Sequence, residues 1–209
     1  MLPLEKERVA GVVLAAGSSS RMGQNKLLLE LGGETVVHRA ARNAIEAGLD
    51  PVVVVLGHDR ERVQAELLGL RCRFVVNPHH ADGVRTSLQL GIREVPADVP
   101  AFVVVLADMP FVTAAMIRAV AERRRETGAP LVISQYGDPR AAAPVDAPPI
   151  LYDRSLFSEL LSMTGERCAK QVARRHRGEA SILSWPEQLL RDIDVAEDYE
   201  YARAQMAGG

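Results

Sequence analysis

Five short runs along this chain are apolar at nearly every position and rich in valine: residues 9–15, 52–56, 73–76, 102–107 and 131–134. Continuous apolar character over so few residues marks strands covered on both faces, and β-branched side chains suit a pleated backbone. Between these runs the apolar period changes to three or four. Val37, Ala41, Ala44 and Ile45 share one helical face, with Thr35 placed to cap that helix and Gly48 to end it. Asp59 is placed to cap a second helix ending near Leu68, and Thr113 a third that runs through Arg123, Arg124 and Arg125. Further helices are expected over 153–163, 166–176 and 196–206, with an edge strand over 181–185. The one long irregular stretch is 136–149, where Gly137, Pro139, Pro144, Pro148 and Pro149 stand among alanines. Long loops in compact domains are often functional, so a lid or an acceptor-binding loop is expected there.

Strand, helix, strand at this rhythm requires right-handed crossovers, which predicts an α/β fold: a Rossmann-like, mostly parallel, doubly wound sheet with helices on both faces. No internal repeat or low-complexity linker divides the 209 residues, so one domain is expected over 1–209. In such sheets ligands bind outside the carboxyl ends of the strands. The loop after the first strand and Asp108 both fall there.

A net charge of -2 gives no general attraction to nucleic acid or anionic lipid, so neither is an expected partner and any phosphate binding must be local. The first ten residues carry Glu5, Lys6, Glu7 and Arg8 and no apolar signal core, which points to the cytoplasm. No apolar run approaches the roughly 20 residues of a membrane helix. Cys72 and Cys168 show no C-x-x-C spacing, so buried free thiols are expected in place of a disulfide or a zinc site. Adjacent His79 and His80 would point to opposite faces of a strand and are poorly placed to share an ion. The basic groups at 123–125 and 174–177 read as solvated helix faces.

The local phosphate chemistry is concentrated in Val12-Val13-Leu14-Ala15-Ala16-Gly17-Ser18-Ser19-Ser20-Arg21-Met22-Gly23-Gln24-Asn25-Lys26. Glycines let backbone N–H groups approach anionic oxygens, and Arg21 and Lys26 add two fixed cations. The spacing excludes a Walker loop, because five residues separate Gly17 from Gly23 and a leucine follows Lys26. It also lacks the G-x-G-x-x-G fingerprint. Asp108 ends the very apolar run 102–107 and is followed by Met109-Pro110. One carboxylate facing a phosphate loop suffices for Mg²⁺, which keeps waters and takes phosphate oxygens as its other ligands.

The first stretch resembles the L-A-A-G-x-S-x-R-M-G-x-x-K signature of nucleotidyltransferases related to the molybdenum cofactor cytidylyltransferases, themselves related to the molybdopterin-guanine dinucleotide synthases. The segment Leu106-Ala107-Asp108-Met109-Pro110 resembles the same family's metal-binding motif. The resemblance implies a nucleotide-diphospho-sugar transferase-like fold, with a nucleotide-binding half at about 9–110 and an acceptor-side half at about 111–209. It implies transfer of CMP from CTP to a phosphate-bearing acceptor, most specifically molybdopterin, with release of pyrophosphate and Mg²⁺ as cofactor. A molybdoenzyme or its chaperone is the further partner it implies. Lys26, Arg21 and Asp108 are then the catalytic residues, and Leu14, Ala15, Ala16 and Gly17 join Arg21 and Lys26 around the nucleotide. Related guanylyltransferases carry L-A-G-G, so Ala16 is expected to favour CTP.

Asn77-Pro78-His79-His80-Ala81-Asp82-Gly83-Val84-Arg85-Thr86-Ser87-Leu88 resembles the family's N-P-x-x-x-x-G-x-x-x-S-L segment, which would bring Asn77, Gly83 and Ser87 near base and ribose. The residue types alone allow a simpler reading: Asp82 as a helix cap and Ser87 at the surface. Arg85 is either a phosphate contact or a solvated arginine. Arg191-Asp192-Ile193-Asp194-Val195-Ala196-Glu197-Asp198 resembles D-I-D-T-P-E-D, with Val195-Ala196 in place of Thr-Pro. Asp194 is a candidate second metal ligand or a helix-start carboxylate, while Asp192, Glu197 and Asp198 read as the acidic start of the last helix. Toward the acceptor side the pattern departs from the family, with Ala147 in the G-x-P-x-L-F stretch and Cys168 in G-D-x-G-A-R, each where glycine is usual. A sugar phosphate or methylerythritol phosphate acceptor, used by a cytidylyl- or uridylyltransferase, therefore stays open. So does a non-catalytic nucleotide-binding or cofactor-delivery protein, against which Lys26 and Asp108 argue.

Overall fold

A computed structural model describes residues 7–18, 22–138, 144–165 and 168–207. Arg21 and the middle of the 136–149 stretch lie outside the described residues.

The chain opens with β1 (Ala10–Ala15), buried along its whole length. A tight hairpin of β2 (Glu30–Leu31) and β3 (Glu34–Thr35) leads into α1 (Val36–Glu46). Next come β4 (Val52–Leu56), α2 (Arg60–Ala65), β5 (Arg73–Val76), α3 (Val84–Arg93), β6 (Ala101–Leu106) and α4 (Ala114–Thr127). The remainder is β7 (Leu131–Tyr136), β8 (Val145–Asp146), β9 (Ile150–Asp153), α5 (Phe157–Ser162), α6 (Cys168–Arg175), β10 (Ala180–Trp185) and α7 (Ala196–Ala207). The main sheet runs β5-β4-β1-β6-β9-β7-β10, with β8 paired to β7. The pairs β5-β4, β4-β1, β1-β6 and β7-β10 are parallel; β9 is antiparallel to both of its neighbours. The fold is therefore α/β with a mostly parallel sheet. Expected strands match the observed ones to within one or two residues at each end.

Alternation along β1 and β6 divides the core in two. Val13, Ala15, Val103 and Val105 face a layer containing α1 and α4, whereas Val12, Leu14, Val104 and Leu106 face α3, α5 and α6. Helix α3 lies very close to the sheet, and a Cβ at Gly91 would stand 2.4 Å from the Val12 side chain. Among the described residues no helix is long and apolar enough to cross a membrane.

Three local expectations are corrected. Thr35 precedes α1, but its hydroxyl is buried without a partner and makes no capping bond. Asp59 precedes α2 in a left-handed conformation (φ 55°) and pairs with Arg62 at 3.0 Å instead of capping. Thr113 does cap α4, accepting from the Met116 N–H at 3.3 Å. The third correction is larger: 150–153 is the inserted strand β9, and the helix expected from residue 153 begins at Phe157. Asp153 still acts locally, its Oδ1 accepting from the Ser155 N–H at 2.9 Å. Tertiary contacts hold β9 in place. Tyr152 stacks on Phe102 at 5.6 Å, Phe157 meets Phe102 edge-on at 5.1 Å, and Arg124 bridges Asp153 (2.5 Å) and Glu7 (2.6 Å). Arg124 is therefore an internal clamp and not part of a solvated face. Of the two thiols, Cys168 is buried as expected and Cys72 is half-buried.

Glu34 anchors the hairpin to α1, accepting from Arg42 at 2.8 and 3.0 Å and meeting His38 at 3.0 Å. Burial alone would raise its pKa; hydrogen bonds from Arg42 and His38, with Arg39 nearby, outweigh burial and hold the carboxyl down to about 2. A depressed carboxyl stabilises the fold above its unfolded value near 4.5, and that contribution is lost as pH falls from there toward 2. Glu34→Gln is expected to lower stability at pH 7 by about 1–2 kcal/mol, solvent screening discounting the full shift. Urea unfolding should also show the variant losing less than the parent between pH 4.5 and 2.

Candidate active site

The chain leaves β1, runs outward through β4 and β5, and returns to β6 on the other side of β1, so the crevice between β1 and β6 is a topological switch point. Two of the expected site segments meet there. Asn25 accepts from the Leu27 N–H at 3.1 Å and so fixes the one-turn helix that begins with Lys26. The Lys26 side chain, only 11 % exposed, puts Nζ 2.7 Å from Asp108 Oδ2 and 2.8 Å from Asp194 Oδ1. Burial alone would lower the Lys26 pKa; the charges and hydrogen bonds of Asp108 and Asp194 outweigh it and raise the group above the usual lysine value.

Asp192 completes the cluster and was missed by sequence reasoning, which read it as a helix-start charge. One oxygen each of Asp108, Asp192 and Asp194 lies within 4.8 Å of the other two. The cause is a two-residue alternation. Ile193 is buried in the core and its N–H donates to the Asp108 carbonyl at 3.0 Å, so in this extended segment Asp192 and Asp194 project together on the opposite side. The D-I-D spacing was the signal that could have found it. Asp198 supports the segment, its Oδ2 accepting from the N–H groups of Asp194 and Val195 at 3.0 Å each, as a helix-start carboxylate should. Partial desolvation of its carboxyl, with the charges of Asp194 and Asp108, pushes the Asp192 pKa up.

Three carboxylates and one ammonium leave a net charge of -2 when all are ionised. An all-oxygen donor set of this kind suits a hard divalent ion, around which ligand oxygens lie roughly 3–4 Å apart, a small closure from the observed spacing. The acidic group is thus capable of holding a metal.

The glycine-containing loop borders the cluster. Gly17 and Ser18 are exposed, and a cavity of about 370 Å³ opens among Ser18, Gly23, Asn25, His58, Asp59 and Arg62. Ala16 is buried, and its backbone oxygen accepts from the His58 N–H at 3.4 Å. A Cβ at Gly57 would lie 2.7–2.8 Å from the Ala16 oxygen, the Ala16 methyl and the His80 Cβ, so only glycine fits where the loops after β1, β4 and β5 converge. Gly57 and His58 were not singled out from the sequence; their place at the carboxyl end of β4 was the available signal.

Asn77, Gly83 and Ser87 form a separate group at the start of α3. The Asn77 amide donates to Thr86 Oγ1 (2.8 Å) and Ser87 Oγ (2.9 Å), and its Oδ1 accepts from the His79 N–H at 2.9 Å. Asn77 and Ser87 are both buried, so Ser87 is no surface position, and their polar groups engage one another as a lock on the turn. Gly83, at φ 97°, precedes α3 in place of the expected Asp82 cap.

This geometry has parallels among known proteins. The model of the MobA-like NTP transferase domain matches residues 11–180. The chain belongs to that family. Purine catabolism protein PucB of Bacillus subtilis (strain 168) is 28% identical over 216 residues, covering 94% of this chain and 97% of its own. The bifunctional enzyme IspD/IspF of Anaeromyxobacter dehalogenans (strain 2CP-C) is 40% identical over 152 residues, but the match covers 69% of this chain and only 38% of that enzyme. Among solved structures, Rv0371c of Mycobacterium tuberculosis H37Rv aligns with a TM-score of 0.80 at 26% identity, covering 94% of this chain and 98% of its own; that protein is also known in complex with manganese.

Proposed function

We propose that this MobA-like NTP transferase domain moves CMP from CTP to a phosphate-bearing acceptor, molybdopterin or its molybdenum-loaded form, and releases pyrophosphate. The observation that carries this reading is Lys26 held between Asp108 and Asp194 beside the loop of Ala16 and Gly17. In this reading residues 1–209 work as one domain, with the nucleotide on the 9–110 side and the acceptor on the 111–209 side. Lys26 and Arg21 hold the triphosphate, Leu14 through Gly17 border it, and Asn77, Gly83 and Ser87 shape the turn beside base and ribose. Asp108, with Asp194 and Asp192, would hold Mg²⁺, which supplies positive charge to the phosphate oxygens.

An oxygen of the acceptor's phosphate attacks the α-phosphorus of CTP. A new P–O bond forms there, the bond to the bridging oxygen breaks, and the electron pair leaves with pyrophosphate. No general base is needed, because a phosphate monoester is already ionised near neutral pH. Placement and charge neutralisation do the chemistry, as in other phosphoryl transfers. The product then passes to a molybdoenzyme or its chaperone.

The test incubates the chain with Mg²⁺, each of the four NTPs and an acceptor panel of molybdopterin, a sugar phosphate and methylerythritol phosphate, reading products by mass spectrometry. Cytidylylated molybdopterin is expected. In this reading a methyl at Ala16 crowds a purine more than a pyrimidine, so CTP should outcompete GTP by roughly tenfold or more, and Ala16→Gly should relax that preference. Preference for GTP overturns the base assignment, and a product only with another acceptor overturns molybdopterin.

A further inference from the structure

The loop that carries Asp108 and the extended segment that carries Asp192 and Asp194 are distant in sequence, and a backbone bond from the Ile193 N–H to the Asp108 carbonyl (3.0 Å) joins them. A single hydrogen bond fixes a point of contact but tolerates a broad range of angles about it. Side chains outside the cluster supply a second point. Phe111, three residues after Asp108, meets Tyr201 of α7 in a T-shaped arrangement, with ring centroids 6.1 Å apart and planes at 72°. The guanidinium of Arg191, the neighbour of Asp192, lies over the same tyrosine ring, 4.0 Å from its centroid. Both geometries are attractive, the first through the opposed edges and faces of the rings and the second through the negative face of the tyrosine. The Tyr201 ring therefore spans from one carboxylate-bearing segment to the other. Its own supports are firm. Buried Asn43 of α1 donates to the Val112 carbonyl at 2.9 Å on the Phe111 side. On α7, Ala202 is buried in the core, and the Tyr199 hydroxyl donates at 3.0 Å to the carbonyl of Glu30, in the hairpin that follows the Lys26 turn.

We propose that Phe111, Tyr201 and Arg191 are positioning residues that set the spacing of the three carboxylates, and that they act through the tyrosine ring and not through its hydroxyl. The inference rests on the reading in which Asp108, Asp192 and Asp194 hold a divalent ion. Their oxygens lie within 4.8 Å of one another and must close to roughly 3–4 Å around such an ion, so a small swing of one segment decides how well it is held. Groups that orient metal ligands without touching the ion commonly account for about 10–100-fold in affinity. For Arg191, charge and positioning predict opposite signs. A cation beside three carboxylates competes with the ion, so on charge alone its removal would tighten binding. As one arm of the bracket, its removal weakens binding.

The test uses the full-length chain and two readouts, the first of which needs no metal. Amide hydrogen exchange of the metal-free protein reports the bond between Ile193 and Asp108, and calorimetric titration with Mn²⁺ reports the cluster. In Tyr201→Leu the Ile193 amide should exchange about tenfold faster while the amides of β4 keep their rates, because the opening is local. The same variant should bind Mn²⁺ about tenfold more weakly, and Tyr201→Phe, which keeps the ring, should stay within about threefold of the parent on both readouts. Arg191→Gln should weaken Mn²⁺ about threefold or more, and should weaken it no further in the Tyr201→Leu background, where the ring it leans on is already gone. Arg203→Ala is the control: this exposed residue of α7 pairs with Glu200 at 3.7 Å, and its loss should move neither readout. Equal losses in Tyr201→Phe and Tyr201→Leu, or unchanged or tighter Mn²⁺ binding in Arg191→Gln, overturn the proposal. So does parental Mn²⁺ affinity in Tyr201→Leu, even with faster exchange or a lower thermal midpoint, which would make the ring a structural contact only. A parent that binds no Mn²⁺, with Ile193 exchange still accelerated in Tyr201→Leu and not in Tyr201→Phe, overturns the metal reading and leaves the bracket standing.

Discussion

Asp108→Asn is expected to reduce pyrophosphate release by a hundredfold or more at saturating Mg²⁺ and CTP, with the fold intact. The substitution is nearly isosteric, and the bond that ties the Asp192–Asp194 segment to this position uses the Asp108 backbone carbonyl, which the variant keeps. What is lost is one of the three carboxylate charges of the cluster and the 2.7 Å ion pair with Lys26. Electrostatic groups aimed at developing charge in a water-poor site commonly account for about two to three powers of ten in rate. The check is steady-state pyrophosphate release together with circular dichroism. Near-normal turnover would remove Asp108 from the chemistry and leave it a structural carboxylate.

Lys26→Ala is expected to act in two opposite directions. Toward the nucleotide, the variant loses a cation in both the ground state and the transition state, so triphosphate affinity and kcat should fall together, with kcat/KM down by about a hundredfold or more. Toward a divalent ion, the free protein should bind more tightly, because removal of the ammonium takes one positive charge away from Asp108, Asp192 and Asp194. Calorimetric titration with Mn²⁺ in the absence of nucleotide separates the two effects. A merely structural lysine would weaken both or neither. The sign of the pH effect follows from the raised pKa: in the absence of metal, the pairing stabilises the fold fully below the unfolded value near 10.5 and is lost as pH rises through the higher folded value. Lys26→Ala should therefore be less stable than the parent at neutral pH and lose less stability than the parent as pH rises above about 10.5.

Much of this molecule is written locally. Unbroken valine runs specify β1, β4 and β6 because a strand covered on both faces leaves no position for polar side chains, and the three-to-four period of α1 follows from one buried face. The location of the glycine-containing loop after β1 and of Asp108 was legible because both follow the carboxyl ends of strands in a parallel sheet. Strand β9 was not legible. Four residues preceded by Pro148-Pro149 carry too little pattern, and Asp153 is a local cap within an element that exists only because β6 and β7 flank it.

The sequence by itself determined the α/β class, the two faces of the central strands, and the place of Asp108 and of the loop that leads to Lys26 beyond the carboxyl ends of strands. These depend on short-range periodicity and on residues a few positions apart. Only the tertiary structure decided that Asp194 meets Lys26 across 168 residues, that Asp192 joins them, and that Asn77 and Ser87 bond to each other in the interior. The meeting of Lys26 with the D-I-D segment is set by the burial of Ile193 and its bond to the Asp108 carbonyl, a long-range packing event that the local spacing alone does not place against Lys26.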